Sequence, residues 1–119
     1  MKPSLGLALA LAFVATPALA ADGNGKFMMK GIGAKTCQDL LRGNGVTSEQ
    51  LDVFLDGFVT SLNIERADTY DIVPGAEWPK VMEGMTAYCG NNREEPLAIA
   101  AWRMIEYYFP RRIKQSPNK

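Results

Sequence analysis

Thr36-Cys37-Gln38-Asp39-Leu40-Leu41 opens one apolar helical pattern, and Met85-Thr86-Ala87-Tyr88-Cys89 closes another. Cys37 and Cys89 are the only cysteines in the 119-residue chain. Placed at the edges of two helical patterns, they read as a single disulfide tying the start of a small helical domain to its second half. Free thiols, a metal site and a catalytic thiol are the alternatives. Two cysteines without any histidine make a poor zinc site. A nucleophilic thiol would lack its usual histidine base. Closing a loop of 52 residues contributes about 4 kcal/mol in the loop-entropy description.

Working outward, the N-terminus reads as an export signal. Lys2 supplies a positive start, residues 5–14 form a short apolar run, and Ala18-Leu19-Ala20 has the form of a cleavage site. The run is too short to span about 30 Å of hydrocarbon. The expectation is therefore a signal peptide over residues 1–20, cleavage near Ala20 and a periplasmic or secreted protein. Export also favours oxidation of the cysteine pair. Residues 21–35 follow as a flexible arm with Gly23, Gly25, Gly31 and Gly33. It carries apolar Phe27, Met28, Met29 and Ile32, suited to covering a core edge or to meeting a partner.

Residues 36–112 carry the helical domain. The first helix is short, 37–42, with Thr36 as N-cap, Asp39 at the third position and Gly43-Asn44-Gly45 as the stop. The second begins after Thr47 or Ser48 and fades over 63–67, with Leu51, Phe54, Leu55, Phe58 and Leu62 on one face. Gly57, beside Phe58, offers room for close helix contact. Residues 68–75 read as an ordered loop in which Asp68 and Asp71 make Asx-type turns, a simpler role than divalent-ion binding. The third helix is expected over 77–89, with Trp78, Val81, Met82, Met85, Tyr88 and Cys89 on one face and Pro79 in its first turn. The fourth starts near Pro96, with Leu97, Ala100, Ala101, Met104, Ile105 and Tyr108 as its stripe. Glu94 and Glu95 precede it, and Arg111 and Arg112 sit near its negative end. Residues 113–119 form a basic tail. Without repeats or alternating runs, the fold class is all-α: a bundle of about four helices stapled by one disulfide. Met82, Met85 and Met104 fall at core spacing.

Charge is balanced overall but unevenly placed. Residues 47–79 hold seven acids and one base, whereas residues 93–119 hold six bases and three acids. Solvated helix faces are the simpler reading of this and a pH-sensitive contact between the acidic middle and the basic ends the sharper one; the overall balance disfavours nucleic acid as a partner. With no histidine, Walker loop or cysteine cluster, the chain shows no catalytic constellation, and neither a metal nor a cofactor is called for.

The cysteine-helix order resembles the HdeA/HdeB-type periplasmic acid-stress proteins over residues 35–110. In that family a signal peptide precedes a small helical domain with a Thr-Cys-x-Asp-hydrophobic-Leu start, matched here by Thr36 to Leu41. A Gly-Phe on the long helix is matched by Gly57-Phe58, and a second cysteine closing a later helix is matched by Cys89. The resemblance implies one disulfide, an all-α fold, a periplasmic home and binding of unfolded clients at low pH. The 68–74 loop and the Phe109-Pro110-Arg111-Arg112 ending depart from the founding chaperones. On this reading Asp52, Asp56, Asp68 and Asp71 are the pH-responsive carboxylates, and Phe54, Phe58, Met82 and Met85 are the apolar client-binding residues. Carboxylates titrate near pH 4, so the 13 acids of the mature chain would be largely neutral below about pH 3. The alternative is an immunity-type or envelope-complex protein that binds one specific partner at neutral pH. A second copy of the chain, in a homodimer, is a further candidate partner.

Overall fold

The computed structural model describes residues 21–118. The expected signal peptide lies outside the described residues. Four α-helices follow in order: α1, Cys37–Leu41; α2, Ser48–Glu65; α3, Trp78–Asn91; α4, Leu97–Tyr108. Short 3-10 turns at Gly31–Ala34, Gly75–Glu77 and Phe109–Arg111 lead into or out of them. Among the described residues no strand forms. Two isolated antiparallel bridges, Thr36 with Pro96 and Asp71 with Ile113, tie distant loops together. The expected all-α, disulfide-stapled bundle is the observed architecture. No described helix is long and apolar enough to cross a membrane.

The two N-terminal helix starts follow from local chemistry. At α1 the Thr36 side chain accepts from the Asp39 N–H, and Asp39 accepts from the Thr36 N–H at 3.0 Å. At α2 Thr47 and Gln50 form the same reciprocal box. Each box satisfies amide donors that a helix start otherwise leaves unpaired. The Thr36 backbone N–H holds the Asp39 carboxyl below its ordinary value, with the Thr36 hydroxyl and the Lys35 charge assisting against partial desolvation. α3 starts differently: Glu77 has helical dihedrals, offers no side-chain cap and pairs with Lys80 three residues on.

α1 packs on α3, α3 on α4, and the 31–34 turn on both α2 and α4. The core comprises Leu51, Leu55, Val59 and Leu62 of α2, Val81, Met85 and Cys89 of α3, and Leu97, Ala100, Ala101, Ile105 and Tyr108 of α4. Val46, Ile72 and Val73 add loop residues to it. The inward stripe of α2 therefore runs through Val59, while Phe54 and Phe58 sit half-buried at its edge. Of the methionines expected in the core, Met85 is fully buried, while Met82 and Met104 are half-buried against it.

The disulfide forms between Cys37 and Cys89, with Cα atoms 4.8 Å apart and both residues fully buried. Backbone hydrogen bonds dock α1 onto the α3–α4 connection beside it: Cys37 N–H to Glu95 C=O and Gln38 N–H to Arg93 C=O, both 2.8 Å. Glu95 itself accepts from the Tyr88 hydroxyl and from Arg103 Nε. It thus serves as a cross-link between α3 and α4 rather than only as a charge near the α4 N-terminus. Burial, followed by the hydrogen bond and charge of Glu95, pushes the Tyr88 phenol above its ordinary value.

Gly57 does not act as a close-contact residue. A Cβ built there meets nothing within 4 Å, because it lies on the solvent side of α2. Close approaches occur instead at Gly84, against the Met104 side chain, and at Gly33, where a Cβ would stand 3.1 Å from the Phe54 ring and 3.3 Å from Ala98 Cβ. At the other end, Ile113 pairs with Asp71 and Lys114 reaches Asp68 at 3.3 Å. The first residues of the basic tail are thereby fastened to the 68–75 loop.

Candidate functional site

The arm and two helices enclose an apolar groove of about 620 Å³. Phe27, Met28 and Met29 of the arm form one wall, and Phe54 and Phe58 of α2 face Ala98, Ile99 and Trp102 of α4. The floor exists because Gly33 lets the 31–34 turn press directly on Phe54 and Ala98. The Phe54 and Phe58 rings lie 5.7 Å apart, and Phe58 meets Trp102 edge-to-face at 6.5 Å. Both spacings lie in the attractive range for aromatic pairs. Met28 is 81% exposed, Phe27 57% and Trp102 44%, so a continuous apolar surface faces solvent. Isolated exposed apolar residues need no explanation, but a rimmed contiguous patch marks an interaction surface.

An arginine cluster borders the groove. The Arg66 guanidinium, at the end of α2, stacks on Trp102 at 5.0 Å and on Phe109 at 4.9 Å while pairing with Glu106. Arg112 covers the other part of Phe109 at 4.0 Å and donates to the Phe109 and Asp68 carbonyls. These contacts hold Trp102 in place and join α2, α4 and the 68–75 loop.

The sequence-derived candidates divide between surfaces. Phe54 and Phe58 line the groove, whereas Met85 is sealed in the core and Met82 packs against the core from α3. Met85 therefore meets a client only if the domain opens. Among the carboxylates, Asp52 accepts from Trp78 Nε1 at 2.8 Å. Asp56 and Asp71 line a second cleft, between α2 and the 70–75 segment. Asp71 accepts from the Val73 N–H at 3.2 Å, the expected Asx turn, and from Asn63. Asp68 stands apart with φ of 54°, paired with Arg112 and Lys114. Its left-handed backbone is one that Asp tolerates better than most residues.

Sequence reasoning missed Ala98, Ile99 and Trp102 as site residues. The available signal was a second apolar stripe on α4, since 98 and 102 are spaced one helical turn apart beside the core stripe. Among the described residues no three His, Cys, Asp or Glu side chains converge closely enough to hold a metal ion. What the groove offers chemically is non-directional burial of apolar side chains, with aromatic faces and flexible methionines that adapt to different shapes. Comparison with protein-family models, with curated proteins and with solved structures gives no match.

Proposed function

We propose that this is a non-enzymatic exported protein that binds unfolded polypeptides through the groove between its N-terminal arm and the α2–α4 pair, in acid stress of the periplasm. The observation that carries this reading is the exposed apolar wall of Phe27, Met28 and Trp102 joined to Phe54 and Phe58. Such a wall suits the apolar segments that denatured proteins expose, and its methionines suit clients of varied sequence.

The acid component rests on the ties that close the domain. Arg66–Glu106 joins α2 to α4, and the Asp68 pairs with Arg112 and Lys114 join the 68–75 loop to the C-terminal segment, each through an ionised carboxylate. Carboxylates as a class neutralise between about pH 5 and pH 3. Losing these ties leaves a cationic chain held by its disulfide, with α4 free to part from α2 and widen the groove. The test is suppression of client aggregation at about pH 3 and at pH 7. Protection in acid that drops about tenfold in a Phe58→Ala, Trp102→Ala double variant is expected. A variant with undiminished protection, or a wild-type protein with none, overturns the reading.

One observation favours a second reading, a specific partner at neutral pH: the groove is open in the folded domain and needs no unfolding to be reached. Pull-down from periplasm at neutral pH separates the two, since one stoichiometric partner supports the second and many clients in acid alone support the first.

A further inference from the structure

We propose that the cleft between α2 and the 70–75 segment is a binding site for an alkylammonium group. Its volume is about 400 Å³. Asp56, Val59, Thr60 and Asn63 of α2 form one side, and Tyr70, Asp71, Val73, Gly75 and Trp78 form the other. At 100° per residue, Asp56 and Asn63 lie on the opposite side of α2 from Phe54 and Phe58. The cleft is thus separate from the apolar groove, and it stands whether or not that groove binds clients.

Three features assign the ligand chemistry. Two carboxylates, Asp56 and Asp71, line the cleft, and no Lys or Arg does. Among the described residues, neither carboxylate enters an ion pair. Among the described residues the Asp56 carboxylate also accepts no hydrogen bond, the Thr60 hydroxyl donating instead to the Asp56 backbone carbonyl, whereas Asp71 Oδ1 is occupied by Val73 N–H and Asn63. Two aromatic rings flank them: Tyr70, 48% exposed, and Trp78, whose indole is fixed by the 2.8 Å bond from Nε1 to Asp52.

Carboxylates offer charge-assisted acceptors to an ammonium N–H, and ring faces attract a cation within about 6 Å. The aromatic share of the lining distinguishes this cleft from an acidic patch that merely collects counter-ions. A bare metal ion is a poor occupant, because no three ligating side chains converge. The same ammonium chemistry is presented by a free polyamine and by a lysine side chain of a polypeptide.

The test is a 1H–15N NMR titration of the mature protein with spermidine and, separately, with an end-blocked Gly-Lys-Gly peptide. Sodium and magnesium chloride at matched ionic strength serve as controls. Saturable shifts confined to the Trp78 indole N–H and the amides of Thr60, Asn63, Asp71 and Gly75 are expected. The tighter of the two probes identifies the source, and either ranking supports the site. Asp56→Asn should weaken binding about tenfold, since an ion pair with a cation is exchanged for a neutral contact. Asp56 is exposed and its carboxylate supports no other described contact, so the variant retains the fold. Asp71→Asn is the second variant, because its amide oxygen still accepts from the Val73 N–H. Shifts that the salt controls reproduce, shifts spread over the whole acidic surface, or an affinity unchanged in both variants would overturn the proposal.

Discussion

The surroundings of Asp39 and Tyr88 move the proton equilibria of both side chains, at opposite ends of the pH scale. The Asp39 carboxyl is lowered in the folded state by the Thr36 backbone N–H. A depressed carboxyl contributes stability above its unfolded value of about 4, and that contribution is lost as pH falls through the folded value. Asp39→Asn should therefore melt below the wild type at neutral pH, with the gap closing in acid; a gap constant from neutral pH to about pH 2 would refute the assignment. The Tyr88 phenol is raised by burial and by Glu95. Its contribution is complete below the unfolded value of about 10 and disappears as pH rises through the folded value. Thermal melts of Tyr88→Phe should show a flatter decline above about pH 10 than the wild type. The Asp39 interaction was legible in the sequence because a capping box joins residues only three apart. The Tyr88–Glu95 contact was not, because it forms only once α3 and α4 turn back on each other.

At the scale of elements, the four helices were readable from spacing and stop signals, and their ends fell within a residue or two of expectation. Which face each helix turns inward was less readable. On α2 the pattern Leu51, Phe54, Leu55, Phe58, Leu62 is broad enough to allow a rotation. The structure uses the part nearer Val59, leaving Phe54 and Phe58 to the groove. The two glycines that bear on α2 show the same division. Gly57 lies in an exposed helix interior with open space around it, so Gly57→Ala should stabilise the domain by about 0.5–1 kcal/mol. Gly33 presses on Phe54 and Ala98, so Gly33→Ala should destabilise it by about 1–3 kcal/mol and distort the groove floor. Urea midpoints of the two variants should therefore move in opposite directions, and a matching direction would contradict the packing described here.

For the molecule as a whole, the disulfide encloses α2, the 68–75 loop and α3, which contain the acidic segment, the acidic cleft and one wall of the groove. Cys37→Ser should cost about 4 kcal/mol, read from urea unfolding, a large part of the stability of a domain this small. If the bond acts only as a staple, the variant loses stability but still recovers from acid in proportion to what remains. If it limits opening, recovery after exposure to about pH 3 fails first. The sequence alone determined the helix count, the Thr36–Asp39 cap, the cysteine pairing and the absence of a histidine switch. Each of these depends on residue type, short-range spacing or the small number of possible partners. Only the tertiary structure decided that the arm lies against Phe54 and Phe58 beside Trp102, that Asp56 and Asp71 share a cleft with Tyr70 and Trp78, and that Asp68 belongs to the basic tail. Those groupings bring together residues as far apart in the chain as Phe27 and Trp102, through helix rotation and loop docking that no local pattern encodes.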